Sequence, residues 1–203
     1  MRSLSEIETT SKRASKAAGY SWGISEEVGK NIRILEMFGL PGIKNLIKYY
    51  EVKKEKKFEN LKLVNKENKI EKYHFCPIIS GVSFLDQIKS LESLGEIKLE
   101  KLAYPLLFLP FVSRASEISG KRLLLKLDNN KFLLNFNISI FSDFLANYII
   151  DITNVASVKF LENSDSFSDK EWNQLYKLSE ETFVEERESL KKEGAGAGLT
   201  DND

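Results

Sequence analysis

Cysteine and histidine are nearly missing from this chain of 203 residues, with one of each, Cys76 and His74. A lone cysteine closes no intramolecular disulfide. With a single histidine, neither a Cys2His2 nor a multi-histidine zinc site can be built within one chain. Arginine is scarce as well, six of the 30 basic residues, and lysine is the poorer bidentate clamp for planar anions. Neither charge sign is in excess, 30 basic against 30 acidic, whereas a general nucleic-acid binder normally carries a basic surplus. No apolar run reaches membrane-spanning length. The most apolar stretch, 102–112, is short and interrupted by Pro105 and Pro110. The opening Met1-Arg2-Ser3-Leu4-Ser5 lacks the long apolar core of a signal peptide. A Gly-x-x-x-x-Gly-Lys-Ser/Thr phosphate loop is also lacking. These absences lead us to expect a cytoplasmic protein with neither nucleic acid nor membrane as partner.

What is present reads as a globular protein: 42% apolar and 30% charged, long enough to bury a core without staples. Ser3 with Glu6, and Ser5 with Glu8, each fit a capping box ahead of a first helix. Leu4, Ile7, Ala14 and Ala18 supply its apolar stripe, and Gly19 ends it. A second helix is expected over 24–38, capped by Ser21 or Ser25, with Glu26 and Glu27 favourably placed in its first turn. Leu40-Pro41-Gly42 breaks it, and a short helix to Tyr49 or Tyr50 follows. Residues 51–72 are rich in lysine and glutamate and read as a variable, solvated loop holding one short strand at 61–64.

The second half reads mainly as strands. Residues 99–112 suggest one or two, broken at the prolines. Leu123, Leu125 and Leu127 alternate, as do Phe132, Leu134 and Phe136. With Asp128-Asn129-Asn130 as the turn, they predict a hairpin. Another strand is expected at 153–161. Ser168 and Glu171 form a capping box for a last helix striped by Trp172, Leu175, Tyr176, Phe183 and Leu190 and ended by Gly194. The expected fold is α+β, with helices from both sequence ends packed on a mostly antiparallel central sheet. The expected layout is a single domain over 1–203: a helical N-terminal region at 1–50, the loop at 51–72, a sheet-rich region at 73–161, the helix at 168–193 and a tail at 194–203.

Several places could carry chemistry. If 74–76 is a strand, His74 and Cys76 face the same way, and an imidazole near a thiol can generate a nucleophile. A lone cysteine beside Ile78, Ile79 and Val82 also suits a buried apolar site. Tyr20 and Trp22, between Gly19 and Gly23, could line a pocket or plug a helix junction. Glu26 and Glu27 are acid–base or metal candidates, although glutamates are common in first turns. Arg114 is a candidate anion clamp. The tail Gly194-Ala195-Gly196-Ala197-Gly198-Leu199-Thr200-Asp201-Asn202-Asp203 is mobile by composition and able to wrap an anion with its amides. Its last four residues cluster oxygen ligands. Asp201 and Asp203 could hold a divalent cation such as Mg2+ or Ca2+, the one cofactor the sequence suggests. A frayed terminus has the same composition.

The segments 17–30, Cys76-Pro77-Ile78-Ile79-Ser80-Gly81, 105–111 and the final ten residues resemble the landmarks of a mainly alphaproteobacterial domain-of-unknown-function family, DUF3726. The resemblance brings no established activity, fold or cofactor. It implies a bacterial protein, a tail that is an ordered element, and one shared arrangement of Gly19, Tyr20, Trp22, Gly23, Glu26, Glu27 and Cys76. Two functions follow as expectations. One is a non-enzymatic small-ligand or protein-binding and assembly domain whose tail docks in a groove of the same subunit, a second copy or an enzyme partner. The other is a small enzyme whose tail closes over a pocket near Tyr20, Trp22, Glu26 and Cys76, using thiol chemistry or a divalent cation.

Overall fold

A computed structural model describes residues 2–143 and 149–182. The chain forms two compact units, Met1–Asn163 and Ser164–Asp203. The fold is α+β, with helices toward both sequence ends and a mostly antiparallel sheet.

The first unit opens with helix α1, Leu4–Ala17, started by Ser3, whose side chain accepts the Glu6 N–H. The Ser3 cap is the one used. The buried face of α1 carries Ser11 and Ser15, while Ala14 is exposed. The close packing expected of the alanines is made instead at Gly29 of α2, Trp22–Met37, where an added Cβ would lie 2.7 Å from the Glu8 carbonyl oxygen and 3.2 Å from Lys12 Cβ. Ser21 caps α2. Helix α3, Gly42–Lys53, runs further than its sequence signals suggest.

The loop beyond α3 differs from expectation. Residues 61–64 form no strand; the short strand is β1, Glu67–Asn68, and Glu59 bridges to Phe75, which in turn bridges to Leu102. Helix α4, Pro77–Asp86, begins at Cys76, and the short α5, Ile88–Leu91, leads to β2, Glu96–Ala103. The segment expected to stay extended through residue 112 turns helical. Tyr104 takes a left-handed conformation (φ +42°), a 3-10 turn follows at Pro105–Leu107, and then comes α6, Leu109–Ser119. Both prolines lie in first turns, where a missing N–H costs nothing.

Strands β3, Leu123–Leu127, and β4, Asn130–Leu134, make the expected hairpin, followed by β5, Ile140–Ser142, and β6, Ile152–Phe160. The sheet order is β1-β2-β6-β3-β4-β5, antiparallel except for β1 with β2. Leu123, Leu125, Leu127, Phe132 and Leu134 are buried, as period-two alternation requires. Helices α4 and α6 meet at Gly81, in mid-helix rather than in a turn. A Cβ there would fall 2.1 Å from Phe111 Cδ2.

In the second unit, α7, Asp169–Glu180, starts with the expected capping box of Ser168 and Glu171, both bonds present. Trp172, Leu175 and Tyr176 are exposed on it. Phe183, Leu190 and Gly194 lie outside the described residues.

Candidate functional site

Gly19 adopts φ +95°, a conformation few side chains tolerate. It turns the chain out of α1, so that Tyr20 points inward while Ser21 starts α2. Tyr20 is buried beside Tyr49 of α3 and Cys76 at the start of α4. The Tyr49 hydroxyl lies 3.0 Å from the Tyr20 hydroxyl and 3.0 Å from Cys76 Sγ; Tyr20 lies 3.6 Å from the sulfur. Sγ also accepts the Ile79 N–H at 3.4 Å, so the thiol serves as helix cap. Pro77 sits in the first turn, and its ring favours the extended backbone that Cys76 adopts. Behind this cluster the Tyr50 hydroxyl donates to Ser15 Oγ at 2.6 Å, which donates to the Ser11 carbonyl. Burial pushes the Tyr20 and Tyr49 hydroxyls far above the ordinary phenol range, as does the adjacent sulfur. Both remain neutral O–H groups at any physiological pH.

The cluster forms the floor of a recess of about 510 Å³ whose walls include Phe58 and Ile79 and whose mouth carries Lys53, Lys56 and Lys57. Lys53 is anchored, donating to the Ala18 carbonyl at 3.0 Å with its ammonium 4.8 Å above the Tyr20 ring. Lys56 and Lys57 are exposed, with no acidic partner among the described residues. Glu59 holds this wall in place. Its N–H donates to the His74 carbonyl and its own carbonyl accepts the Cys76 N–H. Its carboxylate accepts from the backbone amides of Glu71, Lys72 and Tyr73. Burial raises the Glu59 carboxyl, and these three amides more than offset it, leaving the group below the usual glutamate range.

Of the residues singled out from sequence, the recess brings together Gly19, Tyr20 and Cys76. His74 lines a neighbouring recess, and no hydrogen bond joins it to Cys76. The segment 74–76 is a single bridge residue running into a helix rather than a strand. Trp22 is 56% exposed beside the ammonium groups of Lys12 and Lys16. Gly23 lies in α2 with open space around it. Glu26 pairs with Lys12, which holds its carboxyl low. Glu27 pairs with Arg114 and Lys30. Burial raises its carboxyl, and the two cations outweigh that and lower it. Arg114 is thus already engaged by a carboxylate, with Asn31 Oδ1 3.5 Å away. Gly194, Gly196, Gly198, Thr200, Asp201, Asn202 and Asp203 lie outside the described residues. Among the described residues no three His, Cys, Asp or Glu side chains converge as a metal site, and no helix is long and apolar enough to cross a membrane.

Sequence reasoning missed Tyr49, Lys53, Lys56, Lys57 and Phe58. Their signal was the lysine cluster Lys53-Lys54-Glu55-Lys56-Lys57 two residues beyond the paired tyrosines, which reads equally well as a solvated loop.

No curated protein and no solved structure matches the chain. One family model does, over a segment that holds α1 to α3 and the lysine-bearing wall and stops short of Cys76: residues 2–73 match the family described as Protein of unknown function (DUF3726).

Proposed function

We propose that this protein is a binding domain for a small anionic ligand, which it takes up in the recess above Tyr20, Tyr49 and Cys76. The observation that carries this reading is the meeting of Lys53, Lys56 and Lys57 at the mouth of that recess, two of them without a carboxylate partner among the described residues. The neutral Tyr20 hydroxyl on the floor can donate to an oxyanion while accepting from Tyr49, and Phe58 and Ile79 offer apolar contact to whatever carries the anion. A binding role fits better than catalysis by Cys76. The sulfur is occupied as a helix cap, and no base is bonded to it. The reading assumes a cytoplasmic, bacterial setting.

Isothermal titration with inorganic phosphate tests it. Lys56→Glu/Lys57→Glu reverses two charges at the mouth and should weaken phosphate binding at least about tenfold, a loss of about 1.4 kcal/mol. Equal affinity of the variant and the wild type would remove the recess from consideration.

The glycine-rich tail belongs to the proposal on sequence grounds, as an element that docks in a groove or joins a partner. Asp201 and Asp203 are its candidate cation ligands. Deleting 194–203 should change melting temperature or oligomeric mass; no change in either would count against docking.

A further inference from the structure

The recess of the proposed function has a neighbour of about 490 Å³, lined by Lys72, Tyr73 and His74, and the two share Lys56, Lys57 and Phe58 as a common wall. Cations on both sides therefore converge on one ridge, with Lys53 beyond it on one side and Lys72 on the other. The Lys72 ammonium rests 5.3 Å from the Tyr73 ring centroid and forms no ion pair among the described residues. Among the described residues Glu55 is the one acidic residue lining either recess. On one side Lys53 donates to the Ala18 carbonyl, and on the other the Glu59 N–H donates to the His74 carbonyl.

From this juxtaposition we propose that the ligand is a small molecule carrying a diphosphate, its two phosphoryl groups lying along the Lys56–Lys57 ridge. This rests on the anion-binding reading above and narrows it. Two arguments favour phosphate over carboxylate. Among the described residues no arginine lines either recess to offer the planar two-point fork that suits a carboxylate. Lysine acts as a point charge with rotatable donors, which suits a tetrahedral oxyanion approached from several directions. The second phosphoryl group is needed because the cations are divided between two depressions, and a single phosphate would leave one side unused.

The test is isothermal titration of the full chain with inorganic phosphate, inorganic pyrophosphate and citrate. Pyrophosphate should bind at least about tenfold more tightly than phosphate, and more tightly than citrate. Lys72→Glu, and the milder Lys72→Ala, should cut the pyrophosphate advantage to less than about threefold, with circular dichroism verifying the fold. Pyrophosphate no tighter than phosphate, citrate as tight as pyrophosphate, or an undiminished advantage in both Lys72 variants would each overturn the diphosphate assignment while leaving the single recess standing. No binding of any of the three anions to the wild-type chain would overturn the underlying reading as well.

Discussion

At the scale of single residues, two contacts bear most on the site and its support. Tyr49 is fully buried and places its hydroxyl between a phenol and a thiol. Tyr49→Phe keeps the ring and removes that hydroxyl. We expect a loss of about 1 kcal/mol in stability by urea denaturation, accompanied by weaker anion binding; a variant as stable as the wild type would show that the hydroxyl contributes little. Gly81 sits where no side chain fits, against the Phe111 ring. Gly81→Ala should destabilise by about 1–3 kcal/mol through overpacking. Because the clash is with one side chain, Phe111→Leu in the same chain should recover some of that loss. A purely additive double mutant would mean that backbone adjustment, not the ring, sets the cost.

At the scale of elements, the loop between α3 and α4 depends on Glu59. The carboxylate caps three backbone amides, and its pKa is depressed in the fold. A group depressed in this way stabilises above its unfolded pKa, about 4.3, and that contribution disappears as pH falls through the folded pKa. Glu59→Gln should therefore cost about 1–2 kcal/mol at neutral pH. The gap to the wild type should close at acidic pH, as read from melting temperature against pH. A gap that persists unchanged into acid would assign the cost to something other than ionisation. Elements also differ in how well sequence announces them. The β3–β4 hairpin is readable because Leu123, Leu125 and Leu127, and Phe132 and Leu134, recur at every second position on either side of a turn sequence, whereas Phe136, expected on the same face, lies beyond β4 and is exposed. Residues 106–112 mislead because a run apolar on every side carries no period, and a buried helix then looks like a buried strand. The expected strand at 61–64 fails for a different reason: Val64 spends its N–H on the Gln87 side chain. The site is half legible. Gly19 and Tyr20 stand out by their turn chemistry and Cys76 by its rarity. The lysines take their place through long-range contacts that no local pattern encodes: Lys53 through the Ala18 carbonyl, and the wall beside Lys56 and Lys57 through the Glu59–His74 pairing.

At the scale of the molecule, zero net charge is a sum of unlike regions. Residues 1–163 hold 25 basic and 19 acidic side chains, and residues 164–203 hold 5 basic and 11 acidic. The first unit is thus cationic, in keeping with an anion-binding recess, although the composition of the whole chain conceals it. Binding driven by that charge should weaken with ionic strength. Between 0.01 M and 0.15 M salt the screening length shortens from about 30 Å to about 8 Å, and phosphate affinity measured by titration should fall across that range. Salt-independent affinity would point instead to a ligand held by the apolar wall.

The thiol beneath the recess is the chain's one cysteine, and it is 3% exposed. That makes it a built-in label at the place where a ligand is expected. A thiol-selective alkylating reagent reports on one atom, and its rate measures how often the floor opens. Bound anion should slow iodoacetamide modification of the native chain, so a mass spectrum of intact protein can read occupancy without a chemical tag.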